Sequence, residues 1–196
     1  MSYLRGYEVA KLVIKYNLQR VAEIGVYKGI CLRKCLRNKE ANKIIKEYWG
    51  IDPYKPLPHY LEIGDKHHRS MGKRGIEHWD NWYKHVLGYT CFFSQLKIVK
   101  LTSEEASKLF ARKDYFPNGF FDLVFIDAEH TYDAVKNDIK LWWPLLRSGG
   151  IICGHDYHGK YGERYPGVNQ AVNELLGKEN IECLPDCMWL YKKRKV

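Results

Sequence analysis

The sequence predicts a doubly wound α/β fold, in which helices cover both faces of a mostly parallel sheet. Short apolar runs alternate with segments of helical periodicity along most of the chain. Most of these runs are continuously apolar, which is typical of strands that are buried on both faces. A chain of 196 residues with 45% hydrophobic content can bury one sizeable core. We therefore expect a single domain over residues 1–196.

The first half of the chain contains three of the predicted strands. Apolar side chains recur at helical spacing over residues 8–17, which predicts an amphipathic helix. A strand over "RVAEIGV" (20–26) then leads through a glycine turn into a helix over "YKGICLRKCLRN" (27–38). Further strands are predicted over "KEYWGIDPY" (46–54) and "LKIVKLTS" (96–103).

The second half continues the alternation and ends on a strand. The predicted elements are a helix over 103–110, a strand over 121–130, a helix over 131–146, a strand over 149–157, a helix over 167–177 and a strand over 187–193.

Residues 55–95 form a longer connection than a crossover needs and contain five of the eight histidines. Long connections in compact domains often act as lids, so we expect a lid-like insertion here. Within it, "IEHWDNWYKHVLGY" places His78, Trp82 and His85 on one helical face, with Trp79 close by. The residues leave two interpretations open, stacking of a substrate or packing of the tryptophans on the sheet.

Charged residues follow the predicted strands at the places where the strands end. In an open parallel sheet, ligands bind beyond the C-terminal ends of the strands, near the point where the strand order reverses. This edge is therefore the predicted functional site. Its charged residues are Glu23, Asp52, Asp127, His155 and Asp156.

The turn after the first strand excludes several nucleotide sites. Gly25 and Gly29 in "EIGVYKG" permit a tight turn and a close approach of ligand to backbone. Tyr27 stands where a dinucleotide-binding fingerprint has its second glycine, and no phosphate-binding loop motif occurs, which argues against NAD, FAD and P-loop nucleotides. Asp52 offers a carboxylate that can accept bonds from two ribose hydroxyls. A turn with a structural role alone is the alternative.

Taken together, "VAEIGVYKG", "IDPY", "LTSEEA", "DLVFIDAEHTYDAVKNDIKLWWPLLRSGGIICGHDY", "PGVNQAV" and "MWLYKK" resemble the class I S-adenosylmethionine-dependent methyltransferases. The most similar group has the motifs IDxxHxY and GGxxxGHDY. The resemblance extends from Val21 to Lys193 and is specific from Asp122 onward. It implies a seven-stranded Rossmann-like sheet, S-adenosylmethionine as the cofactor and a methyltransferase activity.

The resemblance also implies roles for individual residues, although the chain departs from the family pattern at Thr102, where relatives usually carry an acid. Glu23, Gly25 and Gly29 would line the methionine portion of the cofactor, and Asp52 would hold its ribose. Ser103 would lie near the adenine, and Asp127 near the transferred methyl group.

Methyl transfer to a hydroxyl requires alignment of the reacting atoms and removal of a proton. Asp127, His130 and His155 are the candidate catalytic residues, with either histidine as a metal-free general base. Asp127, His155 and Asp156 are similar to the acidic trio that binds Mg²⁺ in catechol-type and sugar O-methyltransferases. Imidazole is a softer ligand than Mg²⁺ favours. A purely structural network is the third interpretation.

The predicted methyl acceptor is a small polar molecule, such as a sugar or a hydroxylated metabolite. The formal net charge of +9 favours acidic partners. A basic RNA- or DNA-binding protein, or an RNA methyltransferase on the same scaffold, is therefore the alternative. It is less favoured because the basic residues are spread along the chain and no RNA-binding aromatic motif occurs.

The composition also predicts a location. The six cysteines are scattered through the chain, which favours reduced thiols over a secreted disulfide framework. No run of eighteen apolar residues occurs, and the first twenty residues lack the apolar centre of a secretory signal. We expect a cytoplasmic protein with no membrane partner. The sequence does not indicate the oligomeric state.

Overall fold

The computed structural model describes residues 4–62, 66–111 and 119–195, and these residues form an α/β domain. Its strands are β1 (Arg20–Ile24), β2 (Glu47–Ile51), β3 (Leu96–Val99), β4 (Phe121–Ile126), β5 (Leu146–Gly154), β6 (Glu182–Leu184) and β7 (Met188–Lys192). They form one seven-stranded sheet in the order β3-β2-β1-β4-β5-β7-β6. The first five strands pair in parallel, and β7 is antiparallel to both β5 and β6. The predicted fold class is confirmed.

Helices cover both faces of this sheet. They are α1 (Arg5–Tyr16), α2 (Ile30–Arg37), α3 (Lys39–Ile44), α4 (Lys66–Gly72), α5 (Ile76–Leu87), α6 (Ser103–Phe110), α7 (Tyr132–Trp142), α8 (Gly159–Arg164) and α9 (Pro166–Leu176). Buried side chains of α1, α2 and α5 belong to the core on one face, and those of α6, α7 and α9 belong to the core on the other. Among the described residues, no helix is both long enough and apolar enough to cross a membrane.

The sequence of β4 explains why both faces need a cover. All six side chains of "FDLVFI" are buried. Because side chains alternate across a strand, Leu123 and Phe125 enter one core while Val124 and Ile126 enter the other. Burying such a side chain contributes about 1.5–3 kcal/mol relative to leaving it exposed. A strand of this composition is therefore stable only in the middle of a covered sheet.

The observed elements differ from the predicted ones in their number and at several boundaries, since β2, β3, β4 and β5 all end earlier than predicted. The helix predicted over 131–146 ends at Trp142, because Pro144 cannot continue a helix and restricts the residue before it. Four short elements, α3, α4, α8 and β6, were not predicted. The side chains of β6 are mostly exposed, so it produces no apolar run, and α3 is held by the side chain of Asn38, which accepts bonds from two backbone amides.

Candidate functional site

The glycine turn after β1 lies where the order of the strands reverses, between β1 and β4. Gly25 has φ +90°, and its N–H donates to the carbonyl of Ile51 over 2.9 Å. A Cβ atom at this position would lie 2.3 Å from the carbonyl oxygen of Asp127. The turn is therefore in contact with Asp127, the residue that follows β4, and only glycine fits at position 25.

Asp52 holds the turn from the end of β2. Its Oδ2 accepts the N–H groups of Val26 and Tyr27 over 3.1 and 2.9 Å, and its Oδ1 accepts that of Tyr54 over 2.8 Å. Burial raises the pKa of Asp52, and the three amides oppose that shift. An ionised carboxylate has about four acceptor positions, so one remains for a ligand hydroxyl.

Glu23 and Gly29 lie on either side of this turn. Glu23 is buried and accepts a hydrogen bond from the hydroxyl of Tyr48 over 2.5 Å. Burial raises the pKa of Glu23 to about 8, so its side chain is mostly neutral at pH 7. Gly29 has φ +67°, and a Cβ there would lie 3.0 Å from Val86 of α5. The insertion between β2 and β3 therefore packs directly on the turn.

The side chain of Ser103 connects two helices. Its hydroxyl donates to Asp138 on α7 and accepts the indole N–H of Trp142 over 2.9 Å. Burial raises the pKa of Asp138 to about 7, and the Ser103 bond opposes that shift. The predicted location of Ser103 near the adenine stays a prediction.

Asp127, His130, His155 and Asp156 form one cluster beyond the ends of β4 and β5. Nε2 of His130 lies 2.7 Å from Oδ2 of Asp156, and Nδ1 of His155 lies 3.0 Å from Oδ1 of Asp156. Oδ1 of Asp127 lies 4.0 Å from His130 Nε2 and 3.9 Å from His155 Nδ1. The structure thus brings together the four residues that the sequence placed at these strand ends.

The cluster shifts the proton affinities of its members. Burial opposes protonation of His130, but the carboxylates of Asp127 and Asp156 outweigh it and raise the pKa of His130 to about 9. The same carboxylates raise the pKa of His155 against the effect of burial. Burial would raise the pKa of Asp156, yet its two histidine neighbours lower it. The group therefore consists of anions compensated by cations.

Three residues that the sequence did not indicate complete the cluster. Nε of Arg5 lies 3.0 Å from Oδ2 of Asp127, and the backbone N–H of Arg5 donates to Oδ2 of Asp186 over 2.9 Å. Oδ2 of Asp186 lies 3.9 Å from His155 Nε2, and the ring of Tyr165 stacks on His130 at a centroid distance of 4.3 Å. Arg5 opens α1, far from the other residues in sequence, and no motif marks it.

One set of side chains in the cluster has the spacing of metal ligands. Oxygen atoms of Asp127 and Asp156 and a ring nitrogen of His130 lie within 4.8 Å of one another. The trio predicted from the sequence contained His155 in place of His130. His155 lies within 4 Å of both carboxylates, but the ligand atoms that lie within 4.8 Å of one another belong to His130 and the two aspartates.

The insertion between β2 and β3 contacts the site at two places; its residues 63–65 lie outside the described residues. Trp79 of α5 is buried with its ring 5.8 Å from that of Tyr27 in the glycine turn. Nε2 of His59 lies 2.7 Å from a carboxylate oxygen of Glu129, which follows β4. The predicted helix over the His78–His85 stretch exists as α5, and Trp79 has a packing role.

Comparisons with known proteins agree with this geometry. Residues 22–157 match the profile of a family described as a methyltransferase domain, which is well over half of the chain. The chain belongs to the class I S-adenosylmethionine-dependent methyltransferases. Both motif regions of this methyltransferase domain, the glycine turn and the strand ends of β4 and β5, lie inside the matched residues.

Solved structures show the same fold at low sequence identity. The calicheamicin methyltransferase CalS11 is 17% identical and superposes with a TM-score of 0.69 over 96% of this chain and 77% of that chain. The O-methyltransferase NovP is 18% identical, with a TM-score of 0.59 over 97% and 78% of the two chains. These likenesses confirm the Rossmann-like methyltransferase fold.

This chain is also similar in sequence to a viral protein. An uncharacterized protein of Acanthamoeba polyphaga mimivirus is 29% identical over 154 residues, which is 79% of this chain. The chain spans 58% of the length of that relative.

Proposed function

We propose that this domain transfers the methyl group of S-adenosylmethionine to an oxygen atom of a small polar molecule. The observation that carries the proposal is the contact between the backbone of Gly25 and that of Asp127. It places the turn typical of cofactor binding directly beside a cluster of acids and histidines. Cofactor and acceptor can therefore meet at the switch point of the sheet, where open α/β sheets bind ligands.

The residues around the glycine turn fit the cofactor chemically. Asp52 keeps one acceptor position for a ribose hydroxyl after bonding the turn. Glu23, in its neutral form, can donate a hydrogen bond to the methionine portion as well as accept one. The bound cofactor supplies an electrophilic methyl group. The protein holds it by the turn and excludes water with α5, which packs on Gly29.

The cluster supplies the groups that a hydroxyl acceptor needs. We assign proton removal to the neutral form of His130, which becomes abundant only as the pH rises towards its pKa of about 9. The 2.7 Å contact with Asp156 and the stacked ring of Tyr165 fix its orientation. Asp156 then stabilises the imidazolium that forms, as carboxylates beside catalytic histidines do. Asp127, next to the glycine turn, orients the acceptor, and His155 offers a second hydrogen-bond donor.

A divalent ion is an alternative way to activate the hydroxyl. Asp127, His130 and Asp156 would hold it, and their mixed set of carboxylates and imidazole fits Mn²⁺, Fe²⁺ or Zn²⁺ better than Mg²⁺. When bound, such an ion lowers the pKa of a coordinated hydroxyl. Arg5 already compensates the charge of Asp127, so the carboxylates of the cluster have cationic partners without a metal ion.

The choice of a small acceptor is supported by what the similar structures are called. One structure of CalS11 is described as a TDP-rhamnose 3'-O-methyltransferase. Residues 55–95 serve as a lid over such an acceptor in our proposal, because His59 links them to Glu129 beside the cluster. We also propose a cytoplasmic location, for which the six free cysteines are the support.

Isothermal titration with S-adenosylmethionine and S-adenosylhomocysteine tests the cofactor half of the proposal. Wild type is expected to bind both, and Asp52→Asn to bind at least tenfold more weakly, since the altered group no longer accepts at every position. Asp80→Asn, at a half-buried aspartate on α5 that pairs with Lys100, is the matched control and keeps wild-type affinity. Thermal unfolding of each variant shows that the fold is retained. No binding by wild type would refute the proposal.

Transfer of a labelled methyl group to a panel of sugar nucleotides and catechols tests the acceptor half. His130→Gln should lower the rate at least a hundredfold, whereas His85→Gln, on the exposed side of α5, should not. Parallel reactions with a chelator and with added Mn²⁺ separate the two modes of activation. Full activity in the chelator excludes the metal. Unchanged activity of His130→Gln contradicts the assignment of the base.

A further inference from the structure

A surface groove runs along α2, from Arg33 in its first turn to Arg37 at its end. Its volume is about 630 Å³, and it is bounded by α2, α3 and the turn that follows α5. Aromatic rings line one side of it. Phe92 is 80% exposed, which is unusual for a large apolar side chain, and Tyr89 and Phe93 lie beside it.

Cations line the other side of the groove. The guanidinium of Arg33 lies 5.8 Å from the ring centroid of Tyr89, so a cation and an aromatic face already form one surface. Among the described residues that line the groove, none is acidic. The four cations are Arg33, Arg37, Lys39 and Lys43.

We propose that this groove binds a single-stranded polynucleotide. Phosphates would contact the cations, and unpaired bases would stack on the exposed face of Phe92, which is how proteins bind single strands without reading their sequence. The charge of the groove and the net charge of +9 both complement a polyanion. A carboxylate-rich peptide would satisfy the cations but would leave the exposed rings without a flat partner.

The groove shares no residue with the methyltransferase site but borders it at one place. Tyr89 lies beside Gly29 of the glycine turn, where a Cβ atom would lie 3.2 Å from its ring. None of the residues that line it belongs to the cluster around Asp127. Binding in the groove is therefore measured without cofactor, through variants at residues outside the glycine turn.

Fluorescence anisotropy of the full chain with labelled 12-nucleotide uridine and thymidine strands tests the proposal, with a 12-base-pair duplex as a comparison. We expect retention of the single strands at 50 mM salt and a steep loss by 200 mM. Phe92→Ala should weaken binding about tenfold by removing a stacking platform. The double variant Arg37→Gln/Lys43→Gln should reduce the slope of log affinity against log salt by about 1.4, or 0.7 per lost phosphate contact.

Matched variants on the opposite face of the sheet serve as controls. Leu109→Ala removes an exposed apolar side chain of α6, and Lys108→Gln/Lys140→Gln removes two charges from α6 and α7. Both should bind as wild type does. No retention by wild type, an equal loss in the controls, or tighter binding of the duplex would overturn the proposal. Displacement by polyglutamate with no effect of Phe92→Ala would also overturn it, in favour of an acidic protein partner.

Discussion

The candidate site lies along the edge of the sheet where the parallel strands end, and its two halves hold their carboxylates in different ways. At the ends of β1 and β2, Asp52 is satisfied by three backbone amides, and Glu23 is kept mostly neutral by burial. At the ends of β4 and β5, Asp127 and Asp156 are compensated by the side chains of Arg5, His130 and His155. The first half depends on the path of the backbone and the second on charged side chains.

This difference matches the work that each half would do. A turn that is held by backbone amides is rigid and suits a cofactor that is bound in one way. Ionised side chains that share protons can accept or release one when a substrate arrives. The first half should therefore fail when its backbone is strained, and the second when its charges are changed.

Gly25→Ala should produce the largest effect. The new Cβ would lie 2.3 Å from the Asp127 carbonyl oxygen at a φ of +90°. Overpacking and the unfavourable dihedral together should lower the free energy of unfolding by about 4 kcal/mol. Urea denaturation of wild type and variant measures this difference in the free energy of unfolding.

Gly88→Ala is the control for that change, because Gly88 has an ordinary negative φ and a Cβ there meets nothing within 4 Å. It should stay within about 1 kcal/mol of wild type. Equal losses in the two variants would mean that the turn does not constrain position 25.

Glu23→Gln should change the pH dependence of stability. The unfolded chain releases this proton near pH 4.5, whereas the folded protein keeps it to about pH 8. The folded state thus binds more protons between these values, and its stability falls as the pH rises through them. Between pH 4.5 and 7 this single group should cost on the order of 3 kcal/mol, a loss that the variant lacks.

Thermal unfolding of wild type and variant at steps from pH 4.5 to 8 measures the difference. Glutamine can still accept the bond from Tyr48, so the packing is kept. Glu104→Gln, on an exposed part of α6, is the control and should follow wild type at each pH. Parallel curves for Glu23→Gln and wild type would show that Glu23 is ionised in the folded protein.

The same division decides how far the sequence predicts the site. Gly25, Gly29 and Asp52 lie at the ends of predicted parallel strands or in the turn that follows, so their shared location could be predicted. Arg5 and Asp186 reach the cluster only because α1 packs on the sheet and the β6–β7 hairpin closes beside β5. Such contacts depend on the tertiary packing of distant segments, for which no local pattern exists.

Ser103 shows the other limit of the sequence. Its position after β3, at the start of α6, could be predicted, but its partners could not, because Asp138 and Trp142 lie on a helix that follows another strand. The fold itself was easier to predict. Continuous apolar runs such as that of β4 require cover on both faces wherever their neighbours lie.

Arg5→Gln should weaken the second half of the edge. It leaves Asp127 without its 3.0 Å cationic partner, and the free energy of unfolding should fall by about 2 kcal/mol, since Asp127 is only slightly exposed. Arg20→Gln is the control, because its ion pair with Glu47 spans 3.8 Å at the surface. The control should lose less than about 1 kcal/mol. Urea midpoints that move equally would mean that Arg5 has no special role in the cluster.

Ser103→Ala should produce the smallest effect, and it separates a structural role from a role in binding. The change removes a bond to Asp138 and leaves the indole N–H of Trp142 without its acceptor, which should cost about 1 kcal/mol. Without the serine bond the pKa of Asp138 should rise above its present value of about 7.

Titration with S-adenosylhomocysteine then distinguishes the two roles of Ser103. Since its hydroxyl is engaged by Asp138 and Trp142, we expect the affinity of Ser103→Ala to stay within about twofold of wild type while its unfolding midpoint falls. Ser94→Ala, at an exposed serine, should change neither quantity. A loss of affinity with unchanged stability would show instead that the hydroxyl leaves Asp138 to contact the cofactor, and that the first half of the edge rearranges on binding.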